Sequence, residues 1–133
     1  MPARNSATPV VVVVDDSEIA REAVKDTLGA SGYEVITLES AFGFIRTIRD
    51  KAPSLILLDV GLASMNGTKL VQLARQHVPP GTRIVLYSGR APDELATDAR
   101  DCGADGYISK RTTGRAFVLA VQGFVGGLNP ANA

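Results

Sequence analysis

Short apolar runs that end in polar or glycine residues alternate along this chain with stretches whose apolar residues recur every three or four positions. Val10–Val14 is five β-branched residues in a row, stopped by Asp15-Asp16-Ser17; such a run predicts a central strand buried on both faces. Ser17 is placed to cap a helix and Glu18 to favour the positive end of its dipole. Ile19, Ala20, Ala23, Val24, Thr27 and Leu28 give that helix one apolar face, and Gly32 ends it. Tyr33–Leu38 predicts a second strand. Ser40 is then expected to cap a second helix, buried through Phe44, Ile45 and Ile48 and closed by Ala52-Pro53. Leu55–Leu58 runs straight into Asp59, which predicts a third buried strand carrying an acid at its carboxyl end. Thr68–Gln76 predicts a third helix through Leu70, Val71, Leu73 and Ala74, before the break at Pro79-Pro80-Gly81. Arg83–Tyr87 predicts a fourth strand ending in Ser88-Gly89. A fourth helix is expected from near Asp93 to Asp101, a turn over Cys102–Gly106, a short fifth strand at Tyr107-Ile108, and a fifth helix from Thr112 to Val125.

Strand and helix alternate five times with short connections, which predicts an α/β fold: a parallel sheet covered by helices on both faces. At 133 residues, 45% of them hydrophobic, the chain has the size and apolar content of one domain. That domain is expected over 10–126, with a polar, mobile lead-in at 1–9 and a tail at 127–133. Fourteen Lys and Arg balance fourteen Asp and Glu, so no net field favours nucleic acid or an anionic membrane. Neither is expected as a direct partner. One cysteine, Cys102, excludes an intramolecular disulfide and a multi-cysteine zinc site. Val10–Val14 is too short for a signal sequence, and no run approaches the roughly 20 apolar residues of a membrane span. A cytoplasmic location is expected.

A parallel sheet puts every strand's carboxyl end on one edge. Asp15 and Asp16 follow the first strand, Asp59 ends the third, Ser88 follows the fourth, and Lys110 lies just beyond the fifth. These five residues converge if the first strand is central and the third lies beside it. Taken singly, each has an ordinary reading: helix-start acids, a turn serine, a solvated lysine. Their shared edge does not. Three carboxylates brought together repel unless a cation neutralises them. Mg²⁺ suits them, because it takes one or two carboxylates and keeps waters for a phosphate. A lysine and a hydroxyl suit the outer oxygens of a phosphoryl group, and a carboxylate can be the nucleophile that carries it. The residues point to metal-assisted phosphoryl transfer onto an aspartate.

The chain at this point resembles the receiver domain of two-component response regulators, particularly single-domain, chemotaxis-type ones. The resemblance runs from about Val10 to Val125. It rests on Val-Val-Asp15-Asp16-Ser17, Leu-Ile-Leu-Leu-Asp59-Val-Gly-Leu, Met65-Asn66-Gly67, Leu86-Tyr87-Ser88-Gly89 and Gly103-Ala104-Asp105-Gly106-Tyr107-Ile108-Ser109-Lys110. The steps of 43 residues from Asp16 to Asp59, 29 to Ser88 and 22 to Lys110 are similar to the family's. The resemblance implies a flavodoxin-like, doubly wound five-stranded parallel sheet of order 2-1-3-4-5 with five helices. It implies Asp59 as phosphoacceptor for a sensor histidine kinase or phosphotransfer protein. Asp15, Asp16, Asp59 and the backbone carbonyl of Gly61 would hold Mg²⁺. Lys110 would pair with the phosphate, Ser88 would be the switch hydroxyl, and Tyr107 the switch aromatic that turns inward. A downstream target or a dimer partner would use the face of the fourth helix, fifth strand and fifth helix. Such a protein is a signalling phosphoacceptor that assists its own phosphorylation and dephosphorylation, not an enzyme acting on other substrates.

The chain departs from the family at several points. Leu62-Ala63 stands where a proline is usual, so that loop should be less rigid. Lys110-Arg111 replaces the common Lys-Pro; a cis bond before a non-proline costs about 2.5–4 kcal/mol, so a trans bond and a slightly shifted lysine are expected. Gly61 and Arg90 occupy two positions beside the phosphate with opposed effects on its lifetime, Gly61 leaving it open to water and Arg90 shielding or pairing with it. From Ala116 to Ala133 there is no charged residue. Phe117, Val121, Phe124 and Leu128 form one stripe, widened by Val118 and Val125, with Leu119 on another side. The stripe fits a helix packed on the sheet, or a partner-binding face. His77 and Cys102 are expected at helix ends, outside any second active site. Two other classes compete: a pseudo-receiver that keeps the fold without phosphorylation, and a small α/β enzyme, weakened by the lack of Gly-x-Gly-x-x-Gly and of a phosphate-binding loop motif.

Overall fold

The computed structural model describes residues 8–60 and 67–126. Five strands, β1 (Val10–Val14), β2 (Glu34–Leu38), β3 (Leu55–Leu58), β4 (Arg83–Ser88) and β5 (Gly106–Ser109), alternate with α1 (Glu18–Ala30), α2 (Phe44–Lys51), α3 (Gly67–Arg75), α4 (Pro92–Cys102) and α5 (Gly114–Val125). All strand pairs are parallel and the order is β2-β1-β3-β4-β5, the doubly wound, flavodoxin-like sheet expected. The continuous apolar runs explain the centre. Val11–Val14 and Leu55–Leu58 are buried along their whole length, because helices cover them from both sides.

Side-chain alternation divides the core in two. Val12, Val14, Ile56, Leu58, Ile84 and Leu86 face α2, α3 and α4 through Phe44, Ile48, Leu70, Val71, Ala74, Leu95, Ala99 and Cys102. Val11, Val13, Leu55, Leu57, Val85, Tyr87 and Ile108 face α1 and α5 through Val24, Leu28, Phe117 and Val121. The register pairs Val14 with Leu38 and Leu58, Leu58 with Leu86, and Ser88 with Ser109. The carboxyl ends are therefore level, and the residues after them meet on one edge.

Several local expectations are corrected. Ser40 does not cap α2; its hydroxyl accepts the Phe42 N–H at 3.1 Å, and Gly43 at φ 78° starts the helix without a side-chain cap. Ile19 and Ala23 are not on the buried face of α1: Ile19 is 83% exposed and only Val24 and Leu28 are fully buried. Cys102 is the last residue of α4, not part of the turn, and Gly103 at φ 80° ends the helix. α5 begins at Gly114, two residues later than expected. The Ser17 cap is as expected, accepting the Ala20 N–H at 3.2 Å. Among the described residues no peptide bond is cis, so Lys110–Arg111 is trans.

α5 packs on the sheet through Phe117 and Val121, while Leu119 is half-exposed. Its Phe124 ring lies where a side chain on Gly106 would be, 2.6 Å from an added Cβ. Cys102 is buried with its Sγ toward the Ala99 carbonyl, and burial pushes its thiol up from the ordinary value. Leu128, the Leu62-Ala63 step, Met65-Asn66, and all but two residues of the 1–9 and 127–133 segments lie outside the described residues. Among the described residues no helix is long and apolar enough to cross a membrane.

Candidate functional site: an acidic pocket at the carboxyl edge

β1 and β3 lie side by side, so the acids at their ends converge. Asp15 continues the pairing of β1, its N–H donating to the Leu38 carbonyl at 3.0 Å, and Asp59 does the same from β3 to Val14 at 3.0 Å. Both acids are buried at the sheet's rim, while Asp16 is exposed. One carboxylate oxygen of each lies within 4.8 Å of the others.

Asp15 is fixed on three sides. Its Oδ1 accepts the Ser17 N–H at 2.9 Å, which ties it to the start of α1. The Arg21 Nη1 donates to its carbonyl at 2.9 Å, and Nη2 lies 3.9 Å from Glu39 Oε1 at the end of β2. Its Oδ2 is buried and takes no hydrogen bond among the described residues. The Lys110 ammonium is 2.6 Å from that oxygen, an ion pair whose angles fall outside hydrogen-bond geometry. The same ammonium is 3.7 Å from Asp59 Oδ2. Lys110 reaches both without a following proline, because its N–H is held by the Ser88 carbonyl at 2.8 Å.

Ser88 is buried at the end of β4, where its Oγ accepts the Arg90 N–H at 3.2 Å. Tyr107 is 37% exposed and opposite Leu86 in the ladder. Arg90 turns toward α4: its Nε is 2.8 Å from Asp98 Oδ2 and its Nη2 3.8 Å from Glu94 Oε1. Gly61, expected both as a carbonyl ligand and beside the phosphate, lies outside the described residues.

Five of the sequence-predicted residues thus gather at one edge: Asp15, Asp16, Asp59 and Lys110 together, with Ser88 at the end of the neighbouring strand. Tyr107 and Arg90 stand further out. Arg21, Glu39 and Tyr87 were not singled out from the sequence. Arg21 follows the Ser17 cap by one helical turn, the only sequence signal that it returns to β1. Tyr87 had none beyond standing next to Ser88. Burial, and then the negative charge of Asp15, push the Tyr87 phenol above its ordinary value, placing the ring within the electrostatic reach of the pocket.

Three clustered carboxylates with one lysine paired to two of them leave an excess of negative charge. Hard oxygen donors in that arrangement fit a small divalent cation.

Residues 11–122 match the response regulator receiver domain family. The chain belongs to that family. Receiver domains generally bind Mg²⁺ at an acidic pocket, and this receiver holds a cluster of Asp15, Asp16 and Asp59. Among curated relatives, the polar-differentiation response regulator DivK of Brucella ovis is 26% identical over 124 residues, covering 90% of this chain and 98% of DivK. The transcriptional regulatory protein KdpE of Mycobacterium tuberculosis is 30% identical over 101 residues, 76% of this chain. The chain spans about half the length of such transcription-regulator relatives, 44% of KdpE and 56% of the Bordetella pertussis regulator BvgA. Among solved structures, the CheY-like receiver of Methanospirillum hungatei aligns at TM-score 0.77 with 27% identity, covering 89% of this chain and 94% of that one. Vibrio cholerae chemotaxis protein CheY4 aligns at 0.79 with 25% identity, covering 88% and 98%. The fold and the two-component signalling class expected from the sequence are thereby established.

Proposed function

We propose that this receiver takes a phosphoryl group from a histidine kinase or phosphotransfer protein onto Asp59 and so switches a partner-binding face. The observation that carries the reading is the cluster of Asp15, Asp16 and Asp59, with the Lys110 ammonium paired to Asp15 and Asp59. Asp59 Oδ attacks phosphorus, the N–P bond to the donor histidine breaks, and the imidazole leaves with the electron pair. Asp15, Asp16 and Asp59 would hold Mg²⁺, with the Gly61 carbonyl as a further ligand. Bound there, the ion supplies charge neutralisation for the transferring phosphoryl oxygens. Lys110 moves from Asp15 toward the new phosphate and pairs with it. Water then attacks the same phosphorus, the bond from phosphorus to Asp59 Oδ breaks, and inorganic phosphate leaves, returning the site to its resting charge.

Phosphorylation adds roughly two negative charges at one strand end. The Ser88 hydroxyl, which now accepts from Arg90, turns to donate to the phosphoryl group. Its movement vacates room for Tyr107 to swing inward, biasing the loop and the face of α4, β5 and α5 toward a target or a second copy. Gly61 and Arg90 set how long the acyl phosphate lasts. On this reading residues 10–126 form the receiver unit, the protein acts in the cytoplasm through protein partners rather than nucleic acid or membrane, and its chemistry is confined to its own aspartate.

The test is intact mass after incubation with Mg²⁺ and a small phosphodonor. Mass gain by wild type and none by Asp59→Asn supports the reading. No gain by either overturns it in favour of a pseudo-receiver.

A further inference from the structure

Lys110 follows β5, and β4 lies between it and the strand that carries Asp59. Continued one residue past the ladder, the alternation puts it on the face of Ile108 and Tyr87, covered by α1 and α5. The same alternation puts Asp15 after Val13 and Asp59 after Leu57 on that face, at the rim. To reach them its chain must pass the end of β4, and the group it passes there is the Tyr87 ring. The ammonium lies over that ring, 5.5 Å from its centroid. The ring itself cannot turn away. It is 6% exposed, within the α1–α5 core, and the Phe117 ring from α5 leans on it at 5.5 Å between centroids and 39° between planes. The residue after Lys110 is arginine in a trans linkage, so the backbone beyond it adds no proline ring to restrict the side chain.

We propose that Tyr87 is a positioning residue for Lys110, its ring face holding the ammonium between Asp15 and Asp59. An aromatic face attracts a cation most strongly when both are partly desolvated, and the Lys110 side chain is only 24% exposed. A four-carbon stem with free rotors would otherwise sample many directions. The ring removes most of them. The inference rests on the phosphoacceptor reading for its consequence, but the contact itself is tested without it.

In wild-type protein, the ε-methylene protons of Lys110, assigned by their loss in Lys110→Arg, should resonate upfield of those of Lys25 and Lys51, because they adjoin the ammonium that lies over the ring. Ordinary shifts would overturn the contact. Phosphorylation from a small phosphodonor should slow about tenfold in Tyr87→Leu, with Mg²⁺ affinity unchanged, and return to near the wild-type rate in Tyr87→Phe. In a Lys110→Ala background Tyr87→Leu should have no further effect. A slowed Tyr87→Phe, an equal loss of Mg²⁺ affinity, or an undiminished effect without Lys110 would each overturn the assignment. A wild type that takes no phosphoryl group would instead overturn the phosphoacceptor reading, and the methylene shifts would still decide the role of Tyr87.

Discussion

Aspartates stand at both ends of this sheet, and their surroundings differ in kind. At the amino ends of β4 and β5, Asp105 is surrounded by donors. Its Oδ2 accepts the Ile84 N–H at 2.7 Å and pairs with Arg75 at 3.0 Å, and Arg83 lies 4.0 Å from Oδ1. Arg75 also donates to the Gly103 carbonyl at 3.1 Å, so α3, the α4–β5 turn and β4 are joined through one carboxylate. At the carboxyl ends the balance is reversed: three carboxylates cluster, and one ammonium, that of Lys110, pairs with two of them, Asp15 and Asp59. Buried polar groups in a folded protein are nearly all satisfied. A carboxylate with its donors in place holds the fold together. Carboxylates that outnumber the cation among them are poised for a further cation from outside.

The sharpest way to break this contrast is Asp59→Asn. It leaves the shape of the rim but removes the nucleophile, and acyl-phosphate formation should fall to nothing by intact mass. Phosphorylation persisting in the variant would mean that another side chain carries the group.

Next in size is the response to metal. A ligand that binds only the folded state at 100 times its Kd stabilises by about 2.7 kcal/mol. Saturating Mg²⁺ should therefore raise the wild-type denaturation midpoint, and a chelator should reverse the gain. Asp15→Asn should lose most of the response. An equal gain in that variant would show that Mg²⁺ is held elsewhere.

The opposite edge should behave in the opposite way. Asp105→Ala leaves the Ile84 N–H without its acceptor and Arg75 with only the Gly103 carbonyl, which costs about 1–3 kcal/mol in the folded protein. The loss should be the same with and without Mg²⁺, and the phosphorylation rate should be unchanged. Should Asp105→Ala weaken Mg²⁺ binding as Asp15→Asn does, the two edges would not be independent.

Much of this arrangement was legible along the chain because it depends on short-range pattern. Val10–Val14 and Leu55–Leu58 could only be central strands, and the acids after them had to share an edge. The strand order came from family resemblance, not from the pattern. Local errors had local causes. A serine hydroxyl serves a turn as readily as a helix cap, and Ser40 does the former. Ile19 joined the apolar face of α1 because it continues the spacing of Ala23 and Thr27, yet at 3.6 residues per turn it points about 140° from Val24. Groups that meet only in three dimensions left little trace in the spacing. The Lys110 contact with Tyr87 has none, and the Arg21 bond to the Asp15 carbonyl has only the one-turn step from Ser17.

The smallest expected effect concerns Arg90, which stands between the two kinds of surroundings. Its guanidinium is paired with Asp98 and Glu94 on α4, but it is 49% exposed. Exposed pairs contribute about 0–1 kcal/mol, so Arg90 can leave Asp98 for a phosphoryl group on Asp59 at little cost. The gain from doing so is bounded in the same way. Arg90→Ala should thus shorten the acyl-phosphate lifetime by no more than about fivefold, the rate equivalent of about 1 kcal/mol, and leave the denaturation midpoint nearly unchanged. Asp98→Ala, which frees the guanidinium, should lengthen the lifetime. Decay that is unchanged in both variants would assign Arg90 to α4 alone.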